Sequence, residues 1–224
     1  MRTPFQRIVP MLASLMAATA ALILCSCGPT RPIEYYTLNT QALPVGSAPV
    51  RSGSVLPVTI LVGRITAPHI YLDDPIVYSD GEVELGTYEY HRWAEFPTEM
   101  LETMLTEMLR SGGHYRSVAR LGSGAKGDYI LRGHLYSLEE VDSPSFTARF
   151  SIDLELFQPR TGLVVWTQSY SQDEPVSRKT VAAVVEALRR NATRGLAQLT
   201  SNLHSYLASV ERSASLRERS TAER

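Results

Sequence analysis

The side chains best suited to chemistry are few, and their spacing speaks against catalysis. Asp153 and Glu155 alternate with Ile152, Leu154 and Leu156. On a strand that spacing sets both carboxylates on one face about 7 Å apart, a separation a glycosidase can use. A solvated sheet face beside Arg149 uses the same pattern at no cost, and is the reading preferred here. The histidines are His69, His91, His114, His134 and His204, and none stands four residues from another, so no zincin-type metal motif forms. Gly122-Ser123-Gly124-Ala125-Lys126-Gly127 is rich in glycine like a phosphate cradle. It lacks the Gly-Lys-Ser/Thr ending and no helical pattern follows it, so it reads as a connecting loop. Asp73-Asp74 precedes Pro75, which marks a turn before a strand rather than a calcium loop. No Gly-x-Ser-x-Gly elbow is present. The expectation is a chain that is not an enzyme, with no catalytic residue, metal or cofactor.

The two cysteines are more informative. Leu24-Cys25-Ser26-Cys27 has the form of a bacterial lipobox: a leucine three residues before a cysteine, a small residue just before it, then the cysteine that is acylated. Cys27 fits the role, because Leu24 is too large for a cleavage position ahead of Cys25. Upstream, Arg2 and Arg7 precede an uncharged run from Ile8 to Cys25, the pattern of an export signal. Residues 1–26 are therefore expected to be removed. The remainder has 198 of the 224 residues and, with both arginines gone, a net charge of −3 in place of −1. That sign argues against a nucleic-acid partner. Acyl chains of the palmitate kind on Cys27 would anchor firmly, since each buried CH₂ is worth about 0.8 kcal/mol. In Gram-negative lipoproteins an aspartate after the cysteine usually means inner-membrane retention; Gly28 stands there, so resemblance to that class implies a lipid anchor at the periplasmic face of the outer membrane.

The elements follow from periodicity. Residues 27–57 carry seven Pro and Gly breakers besides Gly28 and read as a tether, with one β-prone patch at 33–38 that can dock as an edge strand. Val58 to Ile65 is apolar and β-branched, a buried strand. Ile76-Val77-Tyr78 and Glu82 to Leu85 flank Ser79-Asp80-Gly81, a hairpin signal. Pro97-Thr98 opens a helix with Met100, Leu101, Met104, Leu105, Met108 and Leu109 on one stripe, closed by Gly112-Gly113. Tyr115 to Ala119, Tyr129 to Val141, Phe146 to Leu156 and the run around Val164, Trp166 and Tyr170 read as strands, the last three as an antiparallel meander. A long amphipathic helix runs from about Arg178 to Val210, with a relaxation expected at Gly195. The fold class is α/β: a mixed, largely antiparallel sheet with two flanking amphipathic helices in a single domain over 58–210. Residues 211–224 are expected to be a disordered tail. An apolar slot for an acyl chain beneath Leu188, Leu196 and Leu203 is compatible with the same stripe that would fill a core.

Tyr88, Tyr90, Arg92 and Trp93, with Phe96 nearby, form an aromatic set at a strand-to-helix junction. They are either a core anchor under the Met/Leu helix or a partner-binding patch, since Trp, Tyr and Arg are enriched at interface hot spots.

An ordered set of motifs resembles the ABC-type transport auxiliary lipoprotein family, typified by paraquat-inducible protein C. It comprises the lipobox at Cys27, Tyr35-Tyr36-Thr37-Leu38, and Arg64-Ile65 with Pro68 and Tyr71-Leu72. Val77-Tyr78 and Tyr90-His91-Arg92-Trp93-Ala94-Glu95-Phe96-Pro97 follow, then Asp128-Tyr129-Ile130-Leu131. The family more often has two prolines where this chain has Phe96-Pro97. The resemblance implies a non-enzymatic docking component of an intermembrane lipid-transport system. Its implied partners are an ABC permease and a mammalian-cell-entry (MCE) domain protein, in some cases with a ring-like homo-oligomer. The alternative is a lipoprotein partner of another envelope machine: a secretion pilotin, a lipopolysaccharide-assembly factor or a cell-wall synthase activator.

Overall fold

A computed structural model describes residues 31–39 and 55–222. The export signal, Cys27 and most of the tether lie outside the described residues. Eight strands and two long helices follow in the order β1 (Glu34–Tyr36), β2 (Leu56–Thr66), β3 (Pro75–Ser79), β4 (Leu85–Trp93), α1 (Pro97–Ser111), β5 (Tyr115–Arg120), β6 (Tyr129–Val141), β7 (Thr147–Gln158), β8 (Leu163–Pro175) and α2 (Val181–Ala222).

The sheet is mixed. β6–β7, β7–β8 and β3–β4 pair antiparallel, and the first two are the longest ladders. β1–β4, β2–β5, β2–β6 and β3–β6 pair parallel. β6 organises the whole. One edge carries β7 along its length, while the other carries β2 at Tyr129 to His134 and then β3 at Glu139 to Val141. A register shift between Leu135 and Ser137 falls between those two halves. β1 docks beside β4, Glu34 opposite His91 and Tyr36 opposite Trp93, and Leu38 just beyond it is buried.

Both helices cover one face of this sheet. α1 buries Met100, Leu101, Met104, Leu105 and Leu109 against β2 and β5. Glu99 and Arg110 complement its dipole at the two ends. α2 lies on β7 and β8, burying Val184, Leu188, Ala192, Leu196, Leu199, Leu203 and Leu207. From the sheet, Phe150, Ile152, Leu154 and Leu156 fill the space beneath it. The stripe on α2 is therefore filled core, and the acyl-chain slot allowed by the sequence is not there.

Three expectations need correction. Glu82, Val83 and Glu84 belong to a turn, not a strand: the Asp80 carboxylate accepts their three backbone N–H groups at 2.9–3.1 Å. Gly81 supplies the positive φ of 84° that this turn requires. The expected tail is helical, since α2 continues to Ala222. Residues 211–222 have few apolar side chains but no glycine or proline, and elongating an existing helix is far easier than nucleating one. Lastly, α2 does not relax at Gly195. A Cβ there would stand 2.6 Å from the Tyr170 ring, so the glycine lets the helix close onto the sheet.

The same place holds a fully buried polar lock. Asn191 is wholly buried on α2. Its Nδ2 donates to the carbonyls of Ala148 (3.0 Å) and Gln172 (2.8 Å), and its Oδ1 accepts from Tyr170 Oη at 2.9 Å. Glu174 adds a rim contact, taking Arg190 at 3.2 Å and Arg194 at 2.9 Å. Replacing Asn191 by Leu strips a donor from two carbonyls and takes the acceptor from the Tyr170 O–H, which keeps only its contact with Arg194; each unsatisfied buried group costs about 1–3 kcal/mol. Asn191→Leu is therefore expected to lower stability by at least about 2 kcal/mol in urea unfolding. Gly195→Ala is expected to lower it too, although the change raises helix propensity, because the new methyl meets Tyr170. An unchanged urea midpoint for either variant would remove this lock from the account of how α2 is held.

Candidate functional site

A cluster of polar and aromatic groups lies where β1, β4 and the end of β6 meet the first turn of α2. A groove of about 510 Å³ opens there, lined by Glu34, Tyr36, Tyr88, His91, Glu140, Asp142, Phe146, Lys179 and Thr180. It is assembled by irregularities that the alternation of a strand does not foretell. Between Thr87, paired with Val77, and Arg92, paired with Pro75, β4 carries extra residues that its partner lacks. An odd shift of this kind exchanges the two faces of a strand. Tyr88 and His91, three residues apart, consequently line the same groove.

The rings form a connected wall. His91 lies 5.8 Å from Tyr36 and 5.5 Å from Tyr88 between ring centres, edge-on to the latter. Tyr36 Oη donates to Glu34 at 2.5 Å and lies 3.1 Å from His91 Nδ1. Burial, then the Glu34 carboxylate, pushes the Tyr36 phenol up to about 12. Behind the wall stands Glu140, only 7% exposed, accepting from Tyr88 Oη at 2.8 Å. Loss of hydration raises its carboxyl above the usual range. Asp142 pushes the same way, while the Tyr88 hydrogen bond and Lys179 pull against it. Lys179 is itself engaged elsewhere: its ammonium sits 2.8 Å from Asp142 and 5.1 Å above the Phe146 ring.

The four residues singled out from the sequence separate in space. Tyr88 lines the groove. Tyr90 is half-buried and outside it. Arg92 donates to Asp74 at 2.8 Å, tying β4 to the turn before β3, so Asp74 is a structural partner. Trp93 is 1% exposed and belongs to the core, which removes it from any surface patch. The groove instead uses His91, set aside above as no metal ligand, and Glu34, Glu140 and Lys179, which sequence reasoning missed. One signal was present for Glu140: Glu139-Glu140 is a double acid at the apolar end of a buried strand. The paired carboxylates on β7 have separate partners. Asp153 accepts from Tyr136 Oη at 3.0 Å, and Glu155 pairs with Arg132. Among the described residues no group of three or more His, Cys, Asp and Glu is placed to hold a metal ion.

Comparison with known proteins bears on the whole body rather than on the groove. A Xanthomonas campestris protein of known structure is 21% identical, covering 81% of this chain and 99% of its own, with a TM-score of 0.67. A second solved structure, of an uncharacterised protein, is 12% identical over 77% of this chain and 99% of its own, with a TM-score of 0.60. A Chlamydia trachomatis hypothetical protein is 6% identical over 69% of this chain and 99% of its own, with a TM-score of 0.50. At such identities these likenesses concern the fold alone. No match was found among curated proteins. The model of the ABC-type transport auxiliary lipoprotein component matches residues 36–200, from the last residue of β1 to about the middle of α2, and the chain belongs to that family.

Proposed function

We propose that the chain is an outer-membrane-anchored periplasmic lipoprotein that docks the periplasmic end of an ABC/MCE-type lipid-transport system. The observation that carries this reading is the family match beginning at residue 36, just after a lipobox cysteine at 27. In this reading the anchor is the lipid on Cys27, and the folded body is an adaptor with no chemistry of its own. Docking of β1 against β4 leaves residues 27–33 as the leash. At about 3.3–3.6 Å per residue they reach roughly 25 Å, so the body stays close to the membrane. Tyr88 remains a candidate contact residue, and Tyr90 and Arg92 flank it. The partners in this reading are an MCE-domain protein and an ABC permease.

Cys27→Ser is expected to move the protein from the membrane fraction to the soluble periplasmic fraction. Retention in the membrane fraction would show that Cys27 is not the anchor. Gly28→Asp is expected to shift the acylated protein to inner-membrane fractions in a sucrose gradient, and no shift would count against outer-membrane sorting. For the partner, crosslinking in intact cells followed by purification is expected to return an MCE-domain protein or an ABC permease. Recovery of a secretin or a cell-wall synthase in their place would overturn the transport reading while leaving the anchor standing.

A further inference from the structure

Glu140 is a nearly buried carboxylate with a phenol for a partner and no ion pair with any described residue. Burying a charge without a counter-charge is costly, and a cation arriving at the site offsets that cost. Tyr36, Tyr88 and His91 line the same groove, and aromatic walls attract organic cations by their quadrupoles. Lys179 shows the chemistry within the same groove, where its ammonium rests on one carboxylate, Asp142, and over one ring, Phe146. Glu140 and the Tyr36–His91–Tyr88 wall repeat that pairing of carboxylate and rings without the cation. Lys179, its charge matched by Asp142, and the first turn of α2, a long helix with no acid in that turn, also line the groove, and the helix end favours an anion. From these groups we infer that the groove binds a zwitterionic phosphoammonium group, its ammonium at Glu140 and its phosphate toward Lys179 and the start of α2.

Such a group occurs on ethanolamine phospholipids and on their soluble glycerophospho derivatives. Glu34 lines the groove and lies seven residues from Cys27, so the anchored chain would hold the groove within reach of headgroups. Preference for the lipid source therefore rests on the anchored reading, whereas the headgroup chemistry does not.

The test uses the purified full chain, its Cys27→Ser form and a Glu140→Gln variant. Glutamine keeps an acceptor for Tyr88 and removes the charge. Glu140→Gln should raise the thermal midpoint at neutral pH, because an ionised buried carboxylate is gone. The gain should shrink as pH falls and the wild-type carboxyl takes up its proton. Glycerophosphoethanolamine, titrated calorimetrically at millimolar concentration, is expected to bind wild type and Cys27→Ser alike. It should bind Glu140→Gln about tenfold or more weakly, the worth of one charge-assisted hydrogen bond. Flotation of Cys27→Ser with vesicles of phosphatidylethanolamine and phosphatidylglycerol, against vesicles of phosphatidylglycerol alone, separates the sources. Capture that depends on the ethanolamine lipid supports the membrane source. Binding of the soluble ligand without capture supports a soluble one. The inference is overturned if wild type binds neither probe, if Glu140→Gln binds equally well, or if glycerophosphate, which lacks the amine, binds equally. Should Glu140→Gln fail to fold, His91→Ala on the groove wall carries the same comparison.

Discussion

A single strand sets the plan of the molecule. β6 must satisfy β7 along one edge and two different strands in succession along the other. The two parallel partners take successive halves of that edge, and the shift between Leu135 and Ser137 in the β6–β7 ladder falls between those halves. β2 and β5 extend from the first half, while β3, β4 and β1 extend from the second. Placing β3 beside the end of β6 also brings Glu140 next to Tyr88, so the groove follows from how β6 is shared.

The other half of the architecture depends on how α2 is held. Apolar burial along α2 supplies most of the favourable energy, but a stripe of leucines fixes neither rotation nor sliding with any rigour. Asn191 does, because its three hydrogen bonds to β7 and β8 exist at one register only. Gly195 follows one turn later and admits the Tyr170 ring. Together they determine where the first turn of α2 stands, and with it Lys179 and Thr180 at the groove.

What the sequence made legible, and what it did not, follows the same division. The Met/Leu stripe of α1 and the alternation in β7 are periodic signals from regular elements, and the structure has both. Alternation along β8 places Val164, Trp166 and Tyr170 on one face, yet Val164 is 43% exposed, because a bulge between Leu156 and Phe157 shifts the pairing. The groove fails to show for the same reason. Tyr88 and His91 meet through a register shift in β4, and Glu34 and Glu140 meet through tertiary pairing across more than a hundred residues. Neither leaves a period in the sequence. Trp93 misled in the opposite direction: an aromatic between strand and helix fits an interface as well as a core, and only its burial separates the two.

The position of the groove within the body gives the proposed anchoring a direction. β1 and the start of α2 both border the groove. α2 then runs 42 residues, about 63 Å at 1.5 Å per residue, so its far end cannot lie beside the groove. If the proposed anchor holds the β1 end at the lipid surface, the far end of α2 is carried away from that surface. A lipoprotein that docks a conduit arriving from the opposite membrane needs that polarity, with one end fitted to headgroups and the other clear of them. The net charge of −3 expected if the signal is removed would not work against it. Attraction to an anionic leaflet would need a basic excess, whereas a groove built on Glu140 selects for a zwitterion through its ammonium.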